Sequence, residues 1–244
     1  MRNGLLRVPV PPGAGFFAST RGAAVARTMP FAIYMAMLAL GQAVDPQPGS
    51  TWYALWYPVQ IGLVGLALIL LWPHYGELHR LAAEGAGRLK GHWWVASVAL
   101  GVSVFGAWIH LDLPLLSLGT EAEPPPLGAD GAPDWRWLAL RVFGAAVVVP
   151  LMEELFWRSF IARWIDRDDF RSLVPAAISL RAVVLSSLVF GVEHALWFAG
   201  VFAGLVYVWL YRRSGSLWMA VLAHGVTNLV LGLWVIETGN WQFW

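Results

Sequence analysis

No cysteine occurs anywhere in the 244 residues, which excludes disulfides, a thiol nucleophile and thiolate metal ligands. Charge is scarce as well: Asp, Glu, Lys and Arg make up 13% of the chain and nearly cancel, to a net +1. The basic residues sit in short flanks between apolar stretches and form no stripe, so nothing marks a nucleic-acid partner. The metalloprotease pattern His-Glu-x-x-His is also missing. Glu193-His194 comes nearest, but Phe198 stands where the second histidine would be. Residues 1–24 are Pro/Gly-rich and carry Arg2, Arg7 and Arg21, without a continuous apolar run or a small-residue cleavage site; they read as a cytoplasmic basic tail, not a signal peptide.

What the chain has in excess is apolar surface. Hydrophobic residues make up 58% and the mean hydropathy is +0.60, far above a soluble domain of this length. The expected fold is an all-α, polytopic transmembrane helical bundle. About seven spans are expected, near residues 25–44, 52–72, 93–111, 137–162, 177–198, 199–211 and 217–236, the sixth short and tightly joined to the fifth. Sixteen Trp, many near span ends, fit interfacial belts. The division is then a tail (1–24), N-terminal transmembrane helices with an acidic, Pro-rich external loop (25–136), and a C-terminal core (137–244). With the N-terminus inside, Arg27, Arg80, Arg88, Lys90, Arg158, Arg163, Arg167, Arg171, Arg212 and Arg213 all fall on the cytoplasmic side and Arg136 outside. Arg141 and Arg181 lie within spans, where they could snorkel.

The residues that carry chemistry are the few charges inside these spans. Glu153 and Glu154 follow the apolar run 142–152, and each acid at mid-membrane costs about 2.5–3.5 kcal/mol, so a pair marks a functional site. Arg158 sits four residues after Glu154, at the spacing where helical side chains meet, while Glu153 points roughly 100° away. Further on, Phe190-Gly-Val-Glu-His194 ends in a histidine beside Glu193, and His224 and Asn228 share a helix face. If the fourth helix continues past Arg158 through Ala162, these groups converge in one polar cluster, expected to be reached by water from the cytoplasmic side. Pro150, four residues after Ala146, is expected to kink the helix beside it. Gly200, Ala203 and Gly204 read as close helix packing.

Glu153-Glu154-x-x-x-Arg158, Phe190-x-x-x-His194 and His224-x-x-x-Asn228, in that order on successive late spans, resemble the three motifs of the CPBP intramembrane proteases, the type II CAAX prenyl endopeptidase and bacteriocin-processing family. The resemblance covers roughly residues 137–236. Glu193-His194 and the ending Gly239-Asn-Trp-Gln-Phe-Trp are similar to the branch that accompanies exosortase and PEP-CTERM sorting systems in bacteria. The resemblance implies an enzyme of a bacterial inner membrane that hydrolyses a peptide bond in a membrane-associated protein or peptide. Glu153 and His194 would activate water, Glu154 held by Arg158 would orient its neighbour, and His224 with Asn228 would stabilise the oxyanion.

Zinc is the mechanistic rival: Glu153, His194 and His224 would make a two-histidine, one-carboxylate set with an open fourth position. The missing metalloprotease motif favours the glutamate mechanism without a cofactor. Outside proteolysis, a proton-coupled transporter would place matching acids in both halves, and the first three spans have none. A binding or immunity-type membrane protein is the other alternative, which loss of Glu153 or His194 would have favoured; both are present.

Overall fold

In a membrane, an apolar segment can satisfy its backbone N–H and C=O groups only within itself or in a closed barrel. The chain takes the first course. The structure is a computed structural model that describes residues 15–44, 50–79, 89–118, 125–128 and 131–243. Among the described residues seven long helices form one bundle: α1 (Thr20–Val44), α2 (Thr51–Leu71), α3 (His92–His110), α4 (residues 135–164), α5 (Leu180–Val192), α6 (Trp197–Ser214) and α7 (Leu217–Thr238). Four of them, α1, α2 with its following turn, α3 and α7, are individually long and apolar enough to cross a membrane. Arg2, Arg7, the polar turn at 45–49, Arg80, Arg88 and the acidic residues Glu121, Glu123 and Asp130 lie outside the described residues.

The boundaries differ from the sequence expectation in three places. α1 begins at Thr20 rather than 25, with the Ser19 hydroxyl accepting the Gly22 N–H at 3.0 Å. α5 is the short one, at 13 residues, because Ser179 starts it: its hydroxyl accepts the Ala182 N–H, while the Asp166 carboxylate grips both the Ser179 N–H and hydroxyl (2.7 and 2.6 Å). At 1.5 Å per residue α5 is about 20 Å long, too short to cross alone. α6 is correspondingly long, at 18 residues, and the turn before it lies at 193–196, ahead of the expected boundary at 198–199.

Successive helices run up and down. Side-chain bonds fix which ends meet: Thr20 at the start of α1 donates to Asp169 beyond α4, and the Trp218 indole at the start of α7 donates to the Leu78 carbonyl beyond α2. At the opposite end, Trp137 donates to the Ala54 carbonyl, joining the starts of α4 and α2, and Phe105 of α3 meets Trp234 of α7. Small residues set the closest crossings. A Cβ at Gly200 would lie 2.9 Å from the Gly191 Cα, and one at Gly204 3.0 Å from the Ser187 Cα, so these glycines pack α6 onto α5.

At the N-terminal end of the bundle is an ion network that the sequence reading misses. Arg27 of α1 grips Glu77 with two hydrogen bonds of 2.7 and 2.6 Å. Ser159 donates to the same carboxylate, and Arg163 donates to the Ser159 hydroxyl at 2.8 Å. Arg27 and Arg163, expected as flanking cytoplasmic charges, are each only 2% exposed. Burial raises the Glu77 pKa, but the Arg27 guanidinium and the hydrogen bonds outweigh it and hold the carboxyl below its ordinary range.

Candidate active site

The carboxylates are aimed by an irregular helix. α4 is α-helical over Trp135–Phe143, π-helical over Gly144–Val148, α-helical over Val149–Glu154, π-helical again over Leu155–Ile161, and closes with one α turn. The continuation past Arg158 is therefore present, but in π geometry. Pro150 lacks an N–H, and the turn ahead of it widens into the first π stretch. The Ala145 carbonyl, five residues before Pro150, receives the Nδ2–H of Asn228 from α7 at 2.8 Å. Gly225 lets α7 come this near: a Cβ there would lie 2.6 Å from the Ala146 carbonyl oxygen.

Glu154 is fully buried, and its two oxygens meet Arg158 Nε at 3.1 Å and His224 Nδ1 at 3.0 Å. Arg158 lies 4.2 Å over the Phe190 ring, its two terminal amino groups without hydrogen-bond partners among the described residues. The Tyr207 ring stacks on His224 at 4.8 Å, and its hydroxyl donates to Thr227 at 2.8 Å. These contacts clamp His224 so that its other nitrogen, Nε2, faces Glu153 Oε2 at 3.9 Å. Because Nδ1–H is spent on Glu154, a neutral His224 presents a lone pair at Nε2; it becomes a donor there only as an imidazolium.

His194 does not sit on a helix as expected. It lies in the α5–α6 turn, where Nδ1 contacts the Phe190 carbonyl at 2.7 Å. A carbonyl can only accept, so Nδ1 carries the proton and Nε2 is left with its lone pair. Glu193 beside it accepts the Trp157 indole N–H at 2.9 Å. Glu193, Glu153 and His194 offer ligand atoms that all lie within 4.8 Å of one another. Glu153 itself is 6% exposed, and its Oε2 has no hydrogen-bond partner among the described residues.

A cavity of about 240 Å³ gathers Glu153, His194, His224 and Asn228 on its wall. Glu154 and Arg158 are not on the wall; they stand behind it. The cavity reaches Tyr57, Arg141 and Phe243, at the end of the bundle where α2 and α4 start and α7 finishes. This departs from the sequence reading, which brings water in from the N-terminal end. Arg141 does not snorkel away but lines the cavity, flanked by the Tyr57 and Trp137 rings at 5.5 and 5.2 Å.

The donor set for a metal also differs from the expected one. The ligand atoms within 4.8 Å of one another belong to Glu153, Glu193 and His194, with Glu193 in the place expected for His224. Glu153, Glu193 and His194 fit a three-ligand site with outer support, since the His194 Nδ1–H is tied to a carbonyl and the Glu193 carboxylate to an indole. Two signals for Glu193 existed in the sequence, its adjacency to His194 and its place in an apolar segment; its convergence with Glu153 did not show.

Residues 135–230 match the family model described as type II CAAX prenyl endopeptidase Rce1-like. No curated protein and no solved structure matches the chain. The match runs from the start of α4 into α7 and includes every group of the polar cluster. Residues 135–230 are thus similar to the type II CAAX prenyl endopeptidases of the Rce1-like family.

Proposed function

We propose that the protein is a glutamate-type intramembrane endopeptidase that cuts a peptide bond of a membrane-associated protein or peptide without a metal. Glu153 carries this reading. It is a buried carboxylate with an oxygen unpartnered among the described residues, on the wall of a cavity that also receives the bare nitrogen of His194. In this reading Glu153 takes one proton of a water, whose other hydrogen His194 Nε2 accepts in a hydrogen bond, as the water attacks the scissile carbonyl; Glu153 then gives that proton to the amide nitrogen as the C–N bond breaks. Asn228 donates its second N–H to the developing oxyanion, and His224 joins it in the imidazolium form, whose charge the Glu154 carboxylate balances. Glu154 and Arg158 are positioning residues, since both lie behind the wall.

With the N-terminus in the cytoplasm of a bacterial cell, the cavity runs from mid-membrane toward the external face. That suits a sorting-signal peptide of the exosortase-associated kind better than a prenylated cytoplasmic C-terminus. One observation favours a second reading, zinc-dependent proteolysis: the mutual closeness of Glu153, Glu193 and His194. A zinc ion held there would supply an activated water.

The deciding experiment compares membrane-protein termini by mass spectrometry in native cells carrying the wild-type chain or Glu153→Gln. New termini made only by the wild type are expected. Identical termini in the two strains, with the phenotype of deletion rescued by both, would replace the enzyme reading with the binding one. Metal analysis of the purified protein, with Glu193→Gln as the control, separates the two protease readings.

A further inference from the structure

α4 presents Arg141, Ala145, Val149 and Glu153 to the cavity, four residues spaced four apart along one face. The stripe is cationic at one end, acidic at the other and apolar between. α7 supplies the facing wall with His224, Asn228 and the apolar Leu231. Twelve residues separate Arg141 from Glu153, at most about 18 Å along the helix, which an extended peptide covers in about five residues.

We infer that Arg141 binds a carboxylate of the substrate about five residues from the scissile bond, and so sets which peptides are cut. This rests on the endopeptidase reading and adds a substrate class to it. A guanidinium is the side chain suited to a carboxylate, because its edge N–H groups match the two oxygens. The ring contacts of Tyr57 and Trp137 hold its position, and the Tyr57 hydroxyl donates to the Arg141 carbonyl at 3.2 Å. The low dielectric of the cavity strengthens the pairing. The carboxylate comes either from a free C-terminus or from an Asp or Glu side chain.

The test uses the full chain in lipid nanodiscs and two synthetic libraries of apolar decapeptides, with cut sites read by mass spectrometry. One library has free C-termini and no Asp or Glu. The other is C-terminally amidated and contains Asp and Glu at random positions. Wild type is expected to favour peptides with a carboxylate about four to six residues from the cut, and the library that shows the preference identifies its source. Arg141→Gln should lower the ratio of carboxylate-bearing to carboxylate-free cuts about 10–100-fold, the loss expected for a hydrogen bond to a charged group. Arg141→Lys, which keeps the charge but not the paired N–H edge, should recover only part of the ratio. Wild-type cutting without a carboxylate preference, or an unchanged ratio in Arg141→Gln, overturns the inference while leaving the endopeptidase reading intact. Equal cutting by wild type and Glu153→Gln removes that reading and the inference with it.

Discussion

Glu153 and Glu154 are neighbours in sequence, yet their surroundings predict opposite responses to the same isosteric change. Glu154→Gln removes the charge opposite Arg158, which is 2% exposed and has two amino groups already lacking partners among the described residues. Breaking a buried pair from one side costs about 3–5 kcal/mol. At about 2–4 °C per kcal/mol for a chain of this length, the melting temperature should fall by about 6–20 °C. Glu153→Gln removes no ion pair shorter than 3.9 Å and leaves no cation stranded, so its melting temperature should match wild type while cleavage falls about 10²–10⁴-fold, the share of a general base. The assay is thermal unfolding in nanodiscs, with cleavage measured on the same preparations. Replacing both members, as Glu154→Gln with Arg158→Met, should recover much of the stability, because an apolar pair is tolerated where half of an ion pair is not. The reasoning fails if Glu153→Gln melts as early as Glu154→Gln, or if the double variant is no better than the single.

Glu77→Gln should destabilise the protein at pH 7 by about 3–5 kcal/mol through the stranded Arg27. Since the folded-state pKa of Glu77 lies below its unfolded value near 4.3, that stabilisation is full above pH 4.3 and is lost as pH falls through the folded value; melting curves of the two proteins should converge in acid and not in alkali. Gly225→Ala should cost about 1–3 kcal/mol by driving α7 off the Ala146 carbonyl, which unfolding in nanodiscs would register; an unchanged melting temperature would show that the crossing is looser than described.

The helices were legible because a membrane chain advertises its apolar runs, and the i,i+4 rule found the Glu154–Arg158 pair at the distance it should have. Likewise His224 and Asn228 share a face, as their spacing requires. What escaped the sequence depended on contacts between distant residues or on a change of helical period. Arg27 and Glu77 are fifty residues apart and read as two unrelated charges in flanks. Tyr207 looked like any aromatic of a span until it stacked on His224. His194 was placed on a helix because the apolar run does not pause there, whereas the chain turns at 193–196. The direction of the cavity needed the pairing of helix ends, which hydropathy does not encode.

The π stretch ahead of Pro150 acts as a register setting for everything that follows it. Each residue of an α-helix turns the chain by about 100°, and the π stretch takes up one extra residue in a wider turn, so forcing Gly144–Val148 into α geometry with every residue kept would swing Glu153, Glu154 and Arg158 together by about that angle. The pair would leave α7, and Glu153 would face lipid or a neighbouring helix. A single extra residue, tolerated because Asn228 reaches across to the Ala145 carbonyl, thereby fixes the compass bearing of the carboxylates.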